Sequence, residues 1–180
     1  RRQVGDRRTI ANSLNNLGNA VRNLGDLAMA RSYLEEALQL QREVGDRWAI
    51  ANSLNNLGNV VRDQSDFETA HQFYVESLTI NYEFGDRRAI AYVLEDMAAL
   101  AAAQSNASRA LQLVGAAQTL RQKIGTPLSA VEQAQLDGRL TAVINHENAD
   151  NFMALGRQCT LSEAIAFALS HILDATSSLG

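Results

Sequence analysis

Apolar residues recur at intervals of three and four along the first part of the chain, in two stripes separated by a short polar break. Ile10, Leu14, Leu17, Gly18 and Val21 make the first stripe, and Leu27, Ala30, Leu34, Ala37, Leu38 and Leu40 the second. Such spacing puts each set on one face of an amphipathic helix. Between them stands Asn23-Leu24-Gly25-Asp26, where glycine accepts the left-handed backbone that ends a helix and aspartate can cap the next one. The pattern predicts a helical hairpin, held antiparallel by its short connection. Past Lys123 the pattern changes. Gly125-Thr126-Pro127 breaks the helix, and Ser129 with Glu132 reads as a capping box opening a helix to about Asn145. A shorter helix is expected over Asp150 to Leu155. Thr160 with Glu163 is a second capping box, opening a final helix with Ile165, Leu169, Ile172 and Leu173 on one side.

The hairpin is written three times at a period of 40 residues. Val4-Gly5-Asp6-Arg7, Val44-Gly45-Asp46-Arg47 and Phe84-Gly85-Asp86-Arg87 open the copies, each followed by Ile-Ala at 10–11, 50–51 and 90–91. Copies one and two share an uninterrupted IANSLNNLGN, whereas copy three keeps its apolar skeleton and loses most of the polar text. A fixed period in this range marks a stack of repeats. The large and small positions resemble the tetratricopeptide repeat. Leu14, Leu17 and Val21 fill its large slots and Gly18, Ala30 and Ala37 its small ones; Leu54, Leu57, Gly58, Val61, Ala70 and Tyr74 follow in copy two, with Ser77 where alanine is usual. Copy three matches more weakly through Leu94, Met97, Ala98, Ala110 and Ala117. The extra residues per unit, relative to the usual length of about 34, resemble the long variant of Leu-Gly-Asn repeat proteins.

This resemblance implies an all-α fold: a right-handed solenoid of antiparallel helix hairpins. Residues 1–125 would form three repeats, preceded by the end of a truncated one, since Arg1-Arg2-Gln3 aligns with Gln41-Arg42-Glu43. Residues 126–180 would form a C-terminal helical cap over the last apolar face. Residues LVGAAQTLRQKIGTPLSAVEQ and ALGRQCTLSEAIAFAL also resemble the C-terminal ends of bacterial repeat-bearing signalling ATPases and transcription regulators. On that reading the chain is the end of a larger protein.

Composition narrows the function. The net charge of −4 argues against nucleic acid as a partner. No apolar run reaches the roughly 20 residues of a membrane span, and the expected location is the cytoplasm. The single Cys159 has no disulfide partner and reads as a small apolar filler. No metal or cofactor is expected. His146-Glu147-Asn148-Ala149-Asp150 lacks the second histidine of a zinc peptidase, His71 and His171 are isolated, and no GK[ST] follows Gly5, Gly45 or Gly85. The chain is read as a non-enzyme.

A binding surface is the remaining candidate. At 100° per residue, Asn12, Asn16, Asn19 and Asn23 share a stripe flanked by Asn15 and Arg22. Asn52, Asn56, Asn59 and Asp63, flanked by Asn55 and Arg62, repeat it, and copy three substitutes Tyr92, Glu95, Asp96 and Ala99. The family resemblance places first helices along a concave groove. Asparagine amides there could hold the N–H and C=O groups of an extended peptide, and the arginines a carboxylate, so acidic segments are included among the expected protein or peptide partners. Trp48 either anchors a partner or packs on the neighbouring repeat. The competing account is that the asparagines solvate an exposed face or bridge adjacent helices. Two functions follow: an interaction scaffold, or an intramolecular regulatory or self-associating element, the latter through the truncated first repeat.

Overall fold

The computed structural model describes residues 2–170, with side chains from residue 5 onward. Every regular element among them is a helix. The chain runs α1 (Arg2–Asn23), α2 (Leu27–Val44), α3 (Arg47–Asp63), α4 (Phe67–Phe84), α5 (Arg87–Ala103), α6 (Ala107–Ile124), α7 (Ala130–Arg139), α8 (Ala149–Gln158) and α9 (Leu161–Leu169). The chain divides within α5 into two compact units, one ending at Asp96 and the other starting at Met97.

In the first unit each helix packs on the next, α1 on α2, α2 on α3 and α3 on α4. Aspartates make the starts: Asp26, Asp46 and Asp66 accept from the backbone N–H of Met29, Ala49 and Thr69, meeting donors that the helix itself leaves unpaired. Gly45 and Gly85 make the ends between repeats, both with left-handed backbone. Within the hairpins the left-handed position is Gly25 at φ 90° in copy one but Ser65 at φ 66° in copy two. The predicted core forms around copy two, where Leu34, Leu38, Leu54, Leu57 and Val60 cluster with Ala30 and Ile80. The first apolar stripe behaves differently. Ile10 is 50% exposed and Leu17 44%, although both lie on the predicted core side of α1. Their copy-two counterparts Ile50 and Leu57 are 9% and 0% exposed, because α2 covers α3 and no helix among the described residues covers that side of α1.

Two of the recurring arginines pair across their hairpins. Arg47, at the start of α3, meets Glu83 in the last turn of α4 at 2.6 Å, and Arg7, in the second turn of α1, meets Glu43 in the last turn of α2. Those pairs are exposed, and each contributes little beyond about 1 kcal/mol.

In the second unit, the capping boxes at Ser129 and Thr160 form as expected. Hydrogen bonds from the Thr160 backbone N–H and from its side chain hold the Glu163 carboxyl below its usual range. The helix opened by Ser129 ends at Arg139, earlier than the expected Asn145. Gly138 weakens it, and Thr141 turns its hydroxyl back on the Gly138 carbonyl at 2.8 Å. The following turns bury Leu140 and Val143. Helix α8 spans Ala149–Gln158, extending the expected Asp150 to Leu155, and lies against α6. A Cβ added at Gly156 would sit 1.9 Å from the Gln112 carbonyl oxygen, so the two backbones touch where only glycine fits. Arg109 of α6 donates to the Ala168 and Ser170 carbonyls at 2.9 Å and lies over the Phe167 ring, tying down the end of α9. Burial lowers its pKa. The expectations for His171, Ile172 and Leu173 fall outside the described residues. No described helix is long and apolar enough to cross a membrane.

Candidate functional site

Stacking at a 40-residue period brings residue i of one first helix beside residue i+41 of the next. The asparagines are placed by this register. The Asn15 side-chain oxygen accepts from Asn56 Nδ2 at 3.1 Å and from Ser53 Oγ at 3.0 Å, joining α1 to α3. One repeat later the same relation joins α3 to α5: Asn55 Nδ2 donates to Asp96 Oδ2 at 2.8 Å, and Asn59 Nδ2 donates to the same oxygen at 2.9 Å. Asp96 stands where copy two has Asn56. A carboxylate there accepts from two amides at once, which fixes both amide orientations.

Behind these bonds lies a buried polar knot. Asn59 Oδ1 accepts from Arg62 at 2.8 Å and from the Tyr74 hydroxyl at 3.0 Å. Burial pushes the Tyr74 hydroxyl up, keeping it a neutral donor. Burial also works against the charge of Arg62, but Tyr74, Asp96 and Asp63 outweigh it and hold its pKa above the ordinary value. Arg62 reaches Asp63 at 2.9 Å, and Arg22 reaches the other oxygen of Asp63 at 2.7 Å. Asn59 and Arg62, expected on an exposed stripe, are each only 7% exposed. The correction has a tertiary cause: Tyr74 on α4 and Asp96 on α5 close over them. The two arginines expected to receive a carboxylate converge on one already present, that of Asp63.

The remaining positions divide by exposure. Asn12, Asn16 and Asn52 are exposed, and Asn15, Asn19, Arg22, Asn55 and Asn56 are half-buried. Trp48 is 55% exposed, with its indole N–H 3.3 Å from Asp86 Oδ2, so it has a tie to the next repeat and an open ring. Tyr92 is half-buried, with the Arg88 guanidinium 6.0 Å from its ring centre.

Between α3 and α5 these side chains line a cleft of about 450 Å³. Its walls are Trp48, Asn52, Asn55, Asn56 and Asn59 from copy two and Asp86, Arg88, Tyr92 and Asp96 from copy three, with Ser77 and Asn81 from α4. Six of the twelve predicted site residues meet here: Trp48, Asn52, Asn55, Asn56, Asn59 and Tyr92. Asn12, Asn15, Asn16, Asn19, Arg22 and Arg62 do not line it. Asp86, Arg88 and Asn81 were not among the expected site residues. Asp86 belongs to the repeated Gly-Asp-Arg opening and Arg88 directly follows it, one period after Trp48, which was the available signal. The Asn55 side-chain oxygen is buried here with no hydrogen-bond partner. No group of three or more His, Cys, Asp or Glu side chains that could hold a metal occurs among the described residues.

Residues 9–83 match the family model described as tetratricopeptide repeat. No curated protein matches the chain.

Proposed function

We propose that this chain, whose residues 9–83 match the tetratricopeptide repeat model, is a cytoplasmic scaffold that captures an extended peptide or protein segment in the cleft between α3 and α5. Repeats of this kind mediate protein–protein interaction. The observation that carries the finer reading is the cleft itself, with an exposed aromatic at its edge and an unpartnered amide oxygen in its wall. A buried acceptor left unpaired costs about 1–3 kcal/mol, and a donor from a ligand recovers it. Trp48 offers a large rigid surface of the kind that dominates binding energy at interfaces. In this proposal residues 1–125 are the repeat array and 126–180 its cap, and catalysis has no part.

Lysate capture with the wild-type chain and with a Trp48→Ala, Asn52→Ala variant tests the assignment. Both substitutions fall on exposed side chains, so folding should change by no more than about 0.5 kcal/mol each. A partner held by wild type and lost by the equally folded variant is the expected result. Equal retention by both would remove the cleft from the reading.

The exposed stripe of α1 favours a second reading, in which the array docks on an upstream domain of a larger regulator or on another copy of itself. Ile10 and Leu17 lie along it, and Leu24, in the turn just past the end of α1, is 86% exposed. Sedimentation velocity over a hundredfold concentration range distinguishes it: a size that rises with concentration supports self-association, and a constant monomer counts against it.

A further inference from the structure

We propose that the cleft between α3 and α5 receives a basic side chain, the ammonium of lysine or the guanidinium of arginine, projecting from the bound segment. This inference rests on the peptide-binding reading above. Acceptors line the deep part of the cleft. Because Asn55 and Asn59 both turn their amide N–H groups to Asp96, the Asn55 oxygen faces away from it and is left as a buried acceptor without a partner. Rotating the Asn55 amide would set its oxygen against the Asp96 carboxylate, so the hydrogen-bond pattern itself fixes this polarity. A donor with several hydrogens matches that group, and a carboxylate does not.

Charge points the same way. Two carboxylates, Asp86 and Asp96, line the cleft against one guanidinium, that of Arg88. Asp96 is 7% exposed and lies deep, while Arg88 is exposed at the rim. An incoming anion would therefore meet Asp96 at the floor; Arg22 and Arg62 are both engaged with Asp63, and Arg62, 4.0 Å from Asp96 on the side away from the cleft lining, offsets only part of that negative charge. Low local dielectric strengthens attraction to a cation at the same place.

Trp48 and Tyr92 supply the third element. Aromatic faces attract cations within about 6 Å, and Tyr92 already holds the Arg88 guanidinium at 6.0 Å. The open ring of Trp48, on α3, lines the same cleft. A long basic side chain could lay its methylenes on the indole and carry its charged end to the Asn55 oxygen and Asp96.

The test uses the full chain and three blocked nine-residue peptides of alanine and glycine that differ only at the centre: lysine, norleucine or glutamate. Binding is measured by calorimetry and by the fluorescence of Trp48, the only tryptophan in the chain. The lysine peptide is expected to bind about tenfold or more tighter than norleucine, with glutamate weakest and the lysine preference shrinking as salt rises. Equal binding of lysine and norleucine would overturn the basic-side-chain inference while leaving the peptide-binding reading standing. Tighter binding of glutamate would overturn it too. No heat and no fluorescence change with any of the three would remove both. Asp96→Asn should abolish most of the lysine preference in a chain whose melting curve stays cooperative, and an unchanged preference there counts against the assignment. Should that variant fail to fold, the peptide series in wild type still decides.

Discussion

Residues 10–19 and 50–59 are the same ten amino acids, IANSLNNLGN, and they do different work in the two helices that carry them. In α3 the segment is enclosed: Ile50 and Leu57 are buried, and Asn59 sits inside a knot with Arg62, Tyr74 and Asp96. In α1 the same Ile10 and Leu17 are half-exposed, and Asn19 is half-buried. Local sequence is held constant by the duplication, so the difference belongs to the neighbours. Helix α2 covers one side of α3, and copy three supplies an aspartate where copy two has an asparagine. Repeats borrow their cores from the units beside them.

The largest expected contrast is apolar. Leu57→Ala should cost about 2–5 kcal/mol, the range for emptying a packed core site, whereas Leu17→Ala should stay below about 1 kcal/mol because the side chain is already 44% exposed. Urea denaturation of the two variants measures both. Similar losses would mean that the outer side of α1 is covered in solution, which itself would reveal association.

A smaller contrast is polar. Asn59→Ala leaves Arg62, Tyr74 and Asp96 each short of a partner and should cost about 1–3 kcal/mol, while Asn19→Ala should change stability by no more than about 0.5 kcal/mol. A double-mutant cycle of Asn59→Ala with Asp96→Ala should show coupling of about 0.5–3 kcal/mol. Additive effects would mean that the bond between α3 and α5 contributes nothing.

The smallest contrast concerns the turns. Gly25 and Ser65 occupy the same left-handed position, at φ 90° and 66°. A side chain there carries a conformational penalty that glycine escapes, so Ser65→Gly should raise stability by about 0.5–1 kcal/mol and Gly25→Ser should lower it by a similar amount. Thermal melts of the pair would show opposite signs. A loss on Ser65→Gly would mean that unfolded-chain entropy outweighs the relief.

Much of the fold was legible because its signals are local and repeated. The spacing of Leu54, Leu57 and Val61 gives an amphipathic face whatever lies across from it, and the Gly-Asp punctuation supplies an end and a start through backbone geometry alone. The capping boxes at Ser129 and Thr160 could be read in the same way. The end of α7 could not, because Gly138 and the back-bonding of Thr141 set it through turns that periodicity does not encode.

The site was legible in part, for a related reason. Helical spacing put the asparagines on one stripe, but stripes do not reveal distances between repeats. Asn59 and Arg62 looked exposed because nothing on α3 covers them. The side chains that do, Tyr74 and Asp96, lie 15 residues onward along the chain and on the next first helix.

By itself the sequence determined the helices, their period and the positions of their breaks, since these depend on hydrophobic spacing and backbone preferences within a few residues. Tertiary structure alone decided which copy of an identical segment is core and which is surface. It also decided which asparagines bridge helices and which acceptor in the cleft is left to a ligand, because burial and hydrogen bonding belong to pairs of groups brought together in space.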